Sequence, residues 1–416
     1  MSKVIIEGKH KLTGKINISG AKNSTVALIP LSILCDDEVT ITNVPEISDT
    51  AAMEEILTFL GAKVEGKSET IKINPKNIES KEIPEEVSKK LRASYYFMSA
   101  LLAKYKNTCM YFPGGCSIGS RPIDQTLKAY RALGATVIEE GNKYTVFADK
   151  LVGAEVYLDM PSVGATVNTM IVAVKSEGIT TINNAAKEPE IVNIATFLNN
   201  MGAKIKGAGT SSIKIEGVDS LHKASIEVIP DRIEAGTYMI IAALTGENLT
   251  IENIIPEHLE SLIQKLKDSG VDIKVQDDSC TINSVNYLKS INIKTLGFPG
   301  FPTDLQQPLS TLLTQCNGVS IIEETIYENR FKNLEQLEKM GAIIKIDGRK
   351  AYIRGKTPLM AKNVEATDLR GGACLIIAGL VAEGTTIVEN AEHILRGYSS
   401  IVEKLQEVGA KIKIEE

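Results

Sequence analysis

The chain has 416 residues, 43% of them apolar and 24% charged, with a net charge of −6. That length exceeds one ordinary core and suits two domains of about 200 residues each, and an acidic balance without a basic run speaks against a nucleic-acid partner. The opening MSKVIIEGKH has no apolar targeting core, and the longest apolar stretch, residues 373–382, is far short of a membrane span, so a cytoplasmic protein with no membrane partner is expected.

The first predicted elements are a strand at Lys15-Ile16-Asn17-Ile18, an apolar helix over 24–34 and a β-rich stretch at Glu38-Val39-Thr40-Ile41. A second, amphipathic helix follows, with Met53, Ile56, Leu57 and Leu60 at i, i+3, i+4 and i+7. It ends at Leu60-Gly61-Ala62, where glycine can take the left-handed conformation that closes a helix before the strand Lys63-Val64. The same ending returns at Leu133-Gly134-Ala135, Met201-Gly202-Ala203, Ser269-Gly270-Val271, Met340-Gly341-Ala342 and Val408-Gly409-Ala410. The spacings between these glycines are 73, 68, 68, 71 and 68 residues. Repeats of one size covering the whole chain imply one supersecondary unit used six times. Each unit reads β-α-β-α-β with room for one more strand, a βαβαββ-type repeat in an α/β fold. A linear solenoid is the competing architecture, but solenoid repeats usually run about 20–45 residues, whereas three of these are large enough to close around a core. Three repeats per domain then match the length, with the chain crossing between domains near Gly20 and again near Pro230.

The polar residues that break the apolar pattern fall at equivalent places. Lys22, Arg92, Ser162, Arg232, Asp304 and Asp368 stand 37 to 42 residues before their repeat's glycine, where the first helix begins. Arg121, Glu190, Arg330 and Arg396 stand 11 to 13 residues before theirs, ahead of the second helix. Asp304 and Asp368 can be read as plain N-caps. Cations at a helix N-terminus are unfavourable unless an anion accompanies them, so Lys22, Arg92, Arg121, Arg330 and Arg396 together point to an anionic ligand. The segment Pro113-Gly114-Gly115-Cys116-Ser117-Ile118-Gly119-Ser120-Arg121-Pro122 has three glycines between two prolines, the composition of a lid. A thiol beside Arg121 and near a helix start is placed to be more reactive than a packing cysteine. The other cysteines, Cys35, Cys109, Cys280, Cys316 and Cys374, are scattered like reduced structural thiols, with no disulfide framework. Four isolated histidines and the absence of CxxC or HExxH argue against a metal site; no phosphate-binding glycine motif of the common nucleotide folds occurs.

These residues resemble the UDP-N-acetylglucosamine enolpyruvyl transferase family. The resemblance rests on Gly20-Ala21-Lys22-Asn23, Leu91-Arg92-Ala93-Ser94, the 113–122 loop, Ser162-Val163-Gly164-Ala165-Thr166 and Pro230-Asp231-Arg232-Ile233-Glu234. It continues through Pro302-Thr303-Asp304, Glu328-Asn329-Arg330-Phe331, Thr367-Asp368-Leu369-Arg370 and Arg396-Gly397-Tyr398, so it runs the length of the chain. It implies a two-domain inside-out α/β barrel, with 1–20 plus 230–416 as the C-terminal domain and 21–229 as the catalytic N-terminal domain. It also implies transfer of the enolpyruvyl group of phosphoenolpyruvate to the 3′-hydroxyl of UDP-N-acetylglucosamine, the first committed step of peptidoglycan synthesis. Lys22, Arg121 and Arg396 would hold the phosphate and carboxylate of phosphoenolpyruvate. Asn23, Arg92, the run Arg121, Pro122, Ile123, Asp124 and Gln125, then Ser162, Val163, Gly164, Asp304 and Ile326 would contact the UDP-sugar. Cys116 would be the general acid, able to form a covalent adduct with phosphoenolpyruvate, and Asp304 the base. Arg330, Asp368 and Arg370 would be supporting charges.

The implied chemistry needs no metal or organic cofactor, phosphoenolpyruvate being a co-substrate, and a monomer is expected. Three positions depart from the family's usual pattern: Tyr96 stands for a frequent Trp, Ser48 for a frequent Lys near the phosphate region, and Ser399 for an acidic residue. Two other readings are carried forward, a sister enzyme acting on shikimate 3-phosphate and a catalytically weak paralogue that binds the UDP-sugar.

Overall fold

Helix closure by glycine recurs through the whole molecule. In the computed structural model, Gly61, Gly134, Gly202, Gly270, Gly341 and Gly409 all take φ between 91° and 110°, a left-handed conformation that a side chain would strain. The structure describes residues 2–67 (backbone alone at 67), 69–89, 91–111 and 122–415.

Behind each of the first five glycines the chain runs into an antiparallel strand pair and on to the next helix, while the strand after Gly409, Lys411–Glu415, pairs with Lys3–Glu7. Among the described residues this produces five four-stranded sheets and one three-stranded sheet. In one of them Asn292–Lys294 pairs parallel with Gly318–Glu323, which pairs antiparallel with Lys350–Gly355, and Ile343–Asp347 closes the order. The three-stranded sheet, Asn107–Tyr111, Lys143–Phe147 and Thr136–Glu140, has only a single parallel bridge, Ile83 to Met110, where the others have a full fourth strand.

The opening strand of the first repeat proves to be borrowed. Leu12–Asn17 pairs parallel with Gly246–Glu252, completing the sheet of the fourth repeat. In exchange, Ser225–Glu227 pairs parallel with Val39–Thr42 and completes the first. Helix and preceding strand thus part company at two places, and the main chain is anchored at both. The Ala21 N–H donates to the Ile229 carbonyl at 2.7 Å, and the Asp231 N–H to the Ser19 carbonyl at 2.9 Å.

Two units result, residues 2–19 with 230–415 and residues 20–111 with 122–229. Each has its own hydrophobic core. At the centre of the first lie the helices Arg232–Thr245, Thr303–Gln315 and Leu369–Val381, each packed on the other two. They are buried on nearly all faces, as helices apolar all round must be. Small residues let them approach: a Cβ at Gly236 would lie 2.6 Å from the Leu305 side chain. Sheets cover the outside, alternating buried and exposed residues, as in Thr385–Glu389. The second unit repeats the plan with Lys22–Leu31, Tyr95–Tyr105 and Val163–Ala173 inside. Helices within and sheets without is the inside-out arrangement, not a linear stack. No helix among the described residues is long and apolar enough to cross a membrane.

Candidate active site

The first helical turns of the 2–19/230–415 unit gather its charges. Asp304 is the second residue of the Thr303–Gln315 helix, whose N-cap, Pro302, supplies no side-chain bond. Its carboxylate faces two arginines instead. Arg330 Nη2 donates to Oδ1 at 2.7 Å, while Arg370 donates to Oδ2 from Nη2 at 3.2 Å and from Nε at 3.3 Å. Both guanidiniums are buried, with side chains 3% exposed. Arg330 also reaches Thr303 Oγ1 at 2.9 Å and Gln307 Oε1 at 3.3 Å, and its guanidinium lies 5.1 Å over the Tyr327 ring. Arg370 lies 5.1 Å over the Tyr398 ring, whose hydroxyl is 2.9 Å from Thr237 Oγ1. Burial pulls the Arg370 pKa down, but Tyr398, Asp304 and Asp231 outweigh it and raise it above the usual arginine value. The clamp therefore carries two permanent positive charges on one carboxylate.

Asp368 plays the role that Asp304 does not. It caps the Leu369–Val381 helix by accepting the N–H groups of Arg370 and Gly371, each at 3.0 Å, and it accepts Gln307 Nε2 at 3.0 Å. The plain-cap reading holds for Asp368 alone. Arg396 also differs from expectation: it ends the short helix Glu392–Leu395, ahead of Ile401–Glu407, and a cation at a helix C-terminus is favourable without any ligand. Ile326, 40% exposed, sits on a turn after the Gly318–Glu323 strand.

In the 20–229 unit, Lys22 begins its helix with Nζ 2.9 Å from Asp49 Oδ2, and Asp49 is 3% exposed in the first turn of Ser48–Leu60. At Lys22 and Arg330 a helix-start cation therefore does not require a ligand anion, because the protein's own carboxylates supply the counter-charge. Asn23 is exposed beside Lys22, and Arg92 opens the short turn Arg92–Ser94 ahead of Tyr95–Tyr105. Ser162 caps Val163–Ala173 by accepting the Ala165 N–H at 3.3 Å. Next to it, a Cβ at Gly164 would stand 1.8 Å from Tyr95 Oη, so only glycine allows that approach. The Gly164 carbonyl accepts Asn168 Nδ2 at 2.8 Å, and Asn168 is bonded through Ser99 to buried Tyr130. Pro122 and Asp124 are exposed and Ile123 is buried; Gln125 Nε2 donates to Asp159 Oδ2 at 3.0 Å while its carbonyl accepts the Asp159 N–H at 2.8 Å. Glu190 lies in the first turn of Pro189–Asn200, where an acid suits the helix dipole. Arg232 follows the N-cap Asp231 in the other unit and stacks over Phe298 at 5.7 Å.

Cys116 and Arg121 lie outside the described residues. The described cysteines are free, and burial pushes the Cys280 and Cys316 thiols up to about 12, as packing residues require. Among the described residues no cluster of His, Cys, Asp or Glu is arranged to hold a metal ion. Sequence reasoning missed Asp49, Thr303, Gln307, Glu324 and Tyr398 as partners of the candidate residues. Tyr398 stood inside the Arg396-Gly397-Tyr398 motif and Thr303 inside Pro302-Thr303-Asp304; Asp49, Gln307 and Glu324 carried no signal.

A family model described as EPSP synthase (3-phosphoshikimate 1-carboxyvinyltransferase) matches residues 6–405. The chain is 51% identical over 413 residues to UDP-N-acetylglucosamine 1-carboxyvinyltransferase 2 of Bacillus cereus, covering 99% of this chain and 96% of that protein. It is 51% identical over 410 residues to the protein of the same name from Listeria monocytogenes, covering 99% and 97%. Among solved structures it is similar to the enolpyruvyl transferase NikO from Streptomyces tendae, with TM-score 0.91, 25% identity and coverage of 99% and 98%. EPSP synthase from Acinetobacter baumannii superposes over 100% of both chains with TM-score 0.77 at 19% identity, a likeness of fold alone.

Proposed function

This chain belongs to the enolpyruvyl transferase family, and we propose that it transfers the enolpyruvyl group of phosphoenolpyruvate to the 3′-hydroxyl of UDP-N-acetylglucosamine, releasing phosphate, in peptidoglycan synthesis. The observation that carries this choice of acceptor is the 51% identity, over nearly the full length, to relatives named for that sugar nucleotide. Shikimate 3-phosphate is the weaker reading, supported by the family description.

In this reading Lys22, Arg121 and Arg396 hold the phosphate and carboxylate of phosphoenolpyruvate, where paired cations suit both groups in ground and transition states. Asn23, Arg92, Arg121 to Gln125, Ser162 to Gly164, Asp304 and Ile326 receive the UDP-sugar. The Cys116 thiol gives its proton to the methylene carbon, positive charge develops on the neighbouring carbon, and the sugar 3′-oxygen bonds there as its proton passes to Asp304. Loss of a methyl proton and departure of phosphate then restore the double bond. Arg330 and Arg370 bind both oxygens of Asp304 and set its direction; Asp368 fixes the helix that carries Arg370. Cys116 is also the group that would carry a covalent adduct with phosphoenolpyruvate. The reaction calls for no metal or organic cofactor, and the protein acts as a monomer in this reading, which sedimentation tests.

The experiment is phosphate release from phosphoenolpyruvate with each acceptor offered separately. Release with UDP-N-acetylglucosamine alone supports the reading, release with shikimate 3-phosphate alone overturns it, and tight UDP-sugar binding without release supports the weak paralogue. Cys116→Ala is expected to lower turnover by about 10²- to 10⁴-fold with UDP-sugar binding kept. Cys116→Asp should retain activity and lose sensitivity to the thiol-directed epoxide fosfomycin; a folded but inactive Asp variant would refute the general-acid role.

A further inference from the structure

Glu324 is 1% exposed, yet among the described residues the donors that reach its carboxylate are all neutral. Oε1 accepts three bonds, from Thr295 Oγ1 at 2.9 Å and from the N–H groups of Ile326 at 2.8 Å and Tyr327 at 3.2 Å. Oε2 accepts one, from Thr303 Oγ1 at 2.9 Å. A buried carboxylate without a cation is costly, so four converging donors are what make it tolerable. The converse also holds. Four donors need an acceptor-only group, and an amide in its place would turn an N–H₂ toward one of them.

The two oxygens serve different clients. Oε1 holds the turn that presents Ile326, a turn also stapled by the Thr325 N–H to Thr295 Oγ1 at 2.8 Å. Oε2 holds Thr303, whose oxygen accepts Arg330 Nη1 at 2.9 Å, and Arg330 in turn holds Asp304 at 2.7 Å. We propose that Glu324 is a positioning residue that sets two parts of the site at once, the acceptor-contacting turn through Oε1 and the direction of the Asp304 carboxylate through Oε2, Thr303 and Arg330. This rests on the reading of Asp304 as the base and Ile326 as an acceptor contact.

The two oxygens can be tested apart. Glu324→Gln, with its carbonyl where Oε1 stands, keeps the turn and disturbs only the Thr303 side. It is expected to lower kcat about tenfold or more, since small displacements of a reacting group carry large rate penalties, while KM for UDP-N-acetylglucosamine stays within about twofold. Thr303→Val breaks the same link, so the double variant should be no worse than the worse single one, the signature of one shared path. Glu324→Ala removes both functions and should add a rise of about tenfold in KM for the UDP-sugar but not for phosphoenolpyruvate. A Glu324→Gln protein that melts like the parent and keeps its kcat overturns the proposal, as does a double variant whose losses multiply. Failure of the underlying reading looks different. An unsubstituted protein that releases no phosphate with either acceptor, or a fully active Asp304→Asn, removes the role of Asp304 before Glu324 is touched.

Discussion

The two units build one architecture and differ in how much buried charge they place in it. In the 20–229 unit the buried polar groups between central helices are mostly neutral: Tyr130 lies 2.5 Å from Ser99, Ser99 bonds Asn168, and Asn168 holds the Gly164 carbonyl. The 2–19/230–415 unit keeps a neutral cluster at the equivalent level, Asn333 with Ser310 and Cys374, and adds buried charge at its helix starts. Asp304 sits between Arg330 and Arg370, and Glu234, 3% exposed, pairs with Lys404 at 2.7 Å. Burial raises the Glu234 pKa above the usual carboxylate value, and Lys404 offsets part of that rise. A neutral ladder rigidifies at small electrostatic cost, whereas a buried charge cluster is a poor means of stabilisation. The contrast teaches that the fold tolerates either.

The largest test of that contrast removes the anion from the clamp. Asp304→Ala leaves two buried guanidiniums facing each other and should cost about 3–5 kcal/mol in denaturant unfolding, besides abolishing turnover. Unchanged stability would mean that the cluster is already compensated from elsewhere, and the comparison would fail. At the neutral cluster of the 20–229 unit, Tyr130→Phe keeps the ring and deletes one hydroxyl; Ser99 retains Asn168, so the expected loss is only about 1 kcal/mol by the same measurement. A loss as large as that of Asp304→Ala would erase the distinction. The smallest effect is a gain. Gln306 is fully buried and neither of its amide atoms has a hydrogen-bond partner among the described residues, so Gln306→Leu should stabilise by about 0.5–1 kcal/mol. Destabilisation would show that a bound water satisfies the amide.

Local chemistry was legible and pairing was not. The helix endings at Gly61 through Gly409 could be read because a left-handed residue after an amphipathic helix is a property of a few adjacent positions. The strand at Lys15-Ile16-Asn17 was also legible as a strand. The resemblance placed it with residues 230–416, where it pairs, but the repeat pattern alone left it ahead of the first helix, because the alternation of residues names a strand without naming its neighbour. Asp304 and Asp368 look alike in sequence, each near a helix start; relative to its aspartate the Thr303–Gln315 helix begins two residues earlier, and that shift turns a cap into the centre of an ion cluster. Lys22 was visible as a cation in an unusual place, while Asp49, which balances it, was invisible 27 positions on.

The sequence by itself determined the sixfold repeat, the division of the length into two cores, the family and the roster of chemically unusual side chains. These depend on period and composition, which survive without coordinates. Only the tertiary structure decided that two strands are exchanged between repeats, that Arg330 and Arg370 converge on Asp304, and that Glu324 serves both the Ile326 turn and Thr303. Those facts arise from side chains meeting across elements far apart in the chain, and no local pattern encodes such a distance.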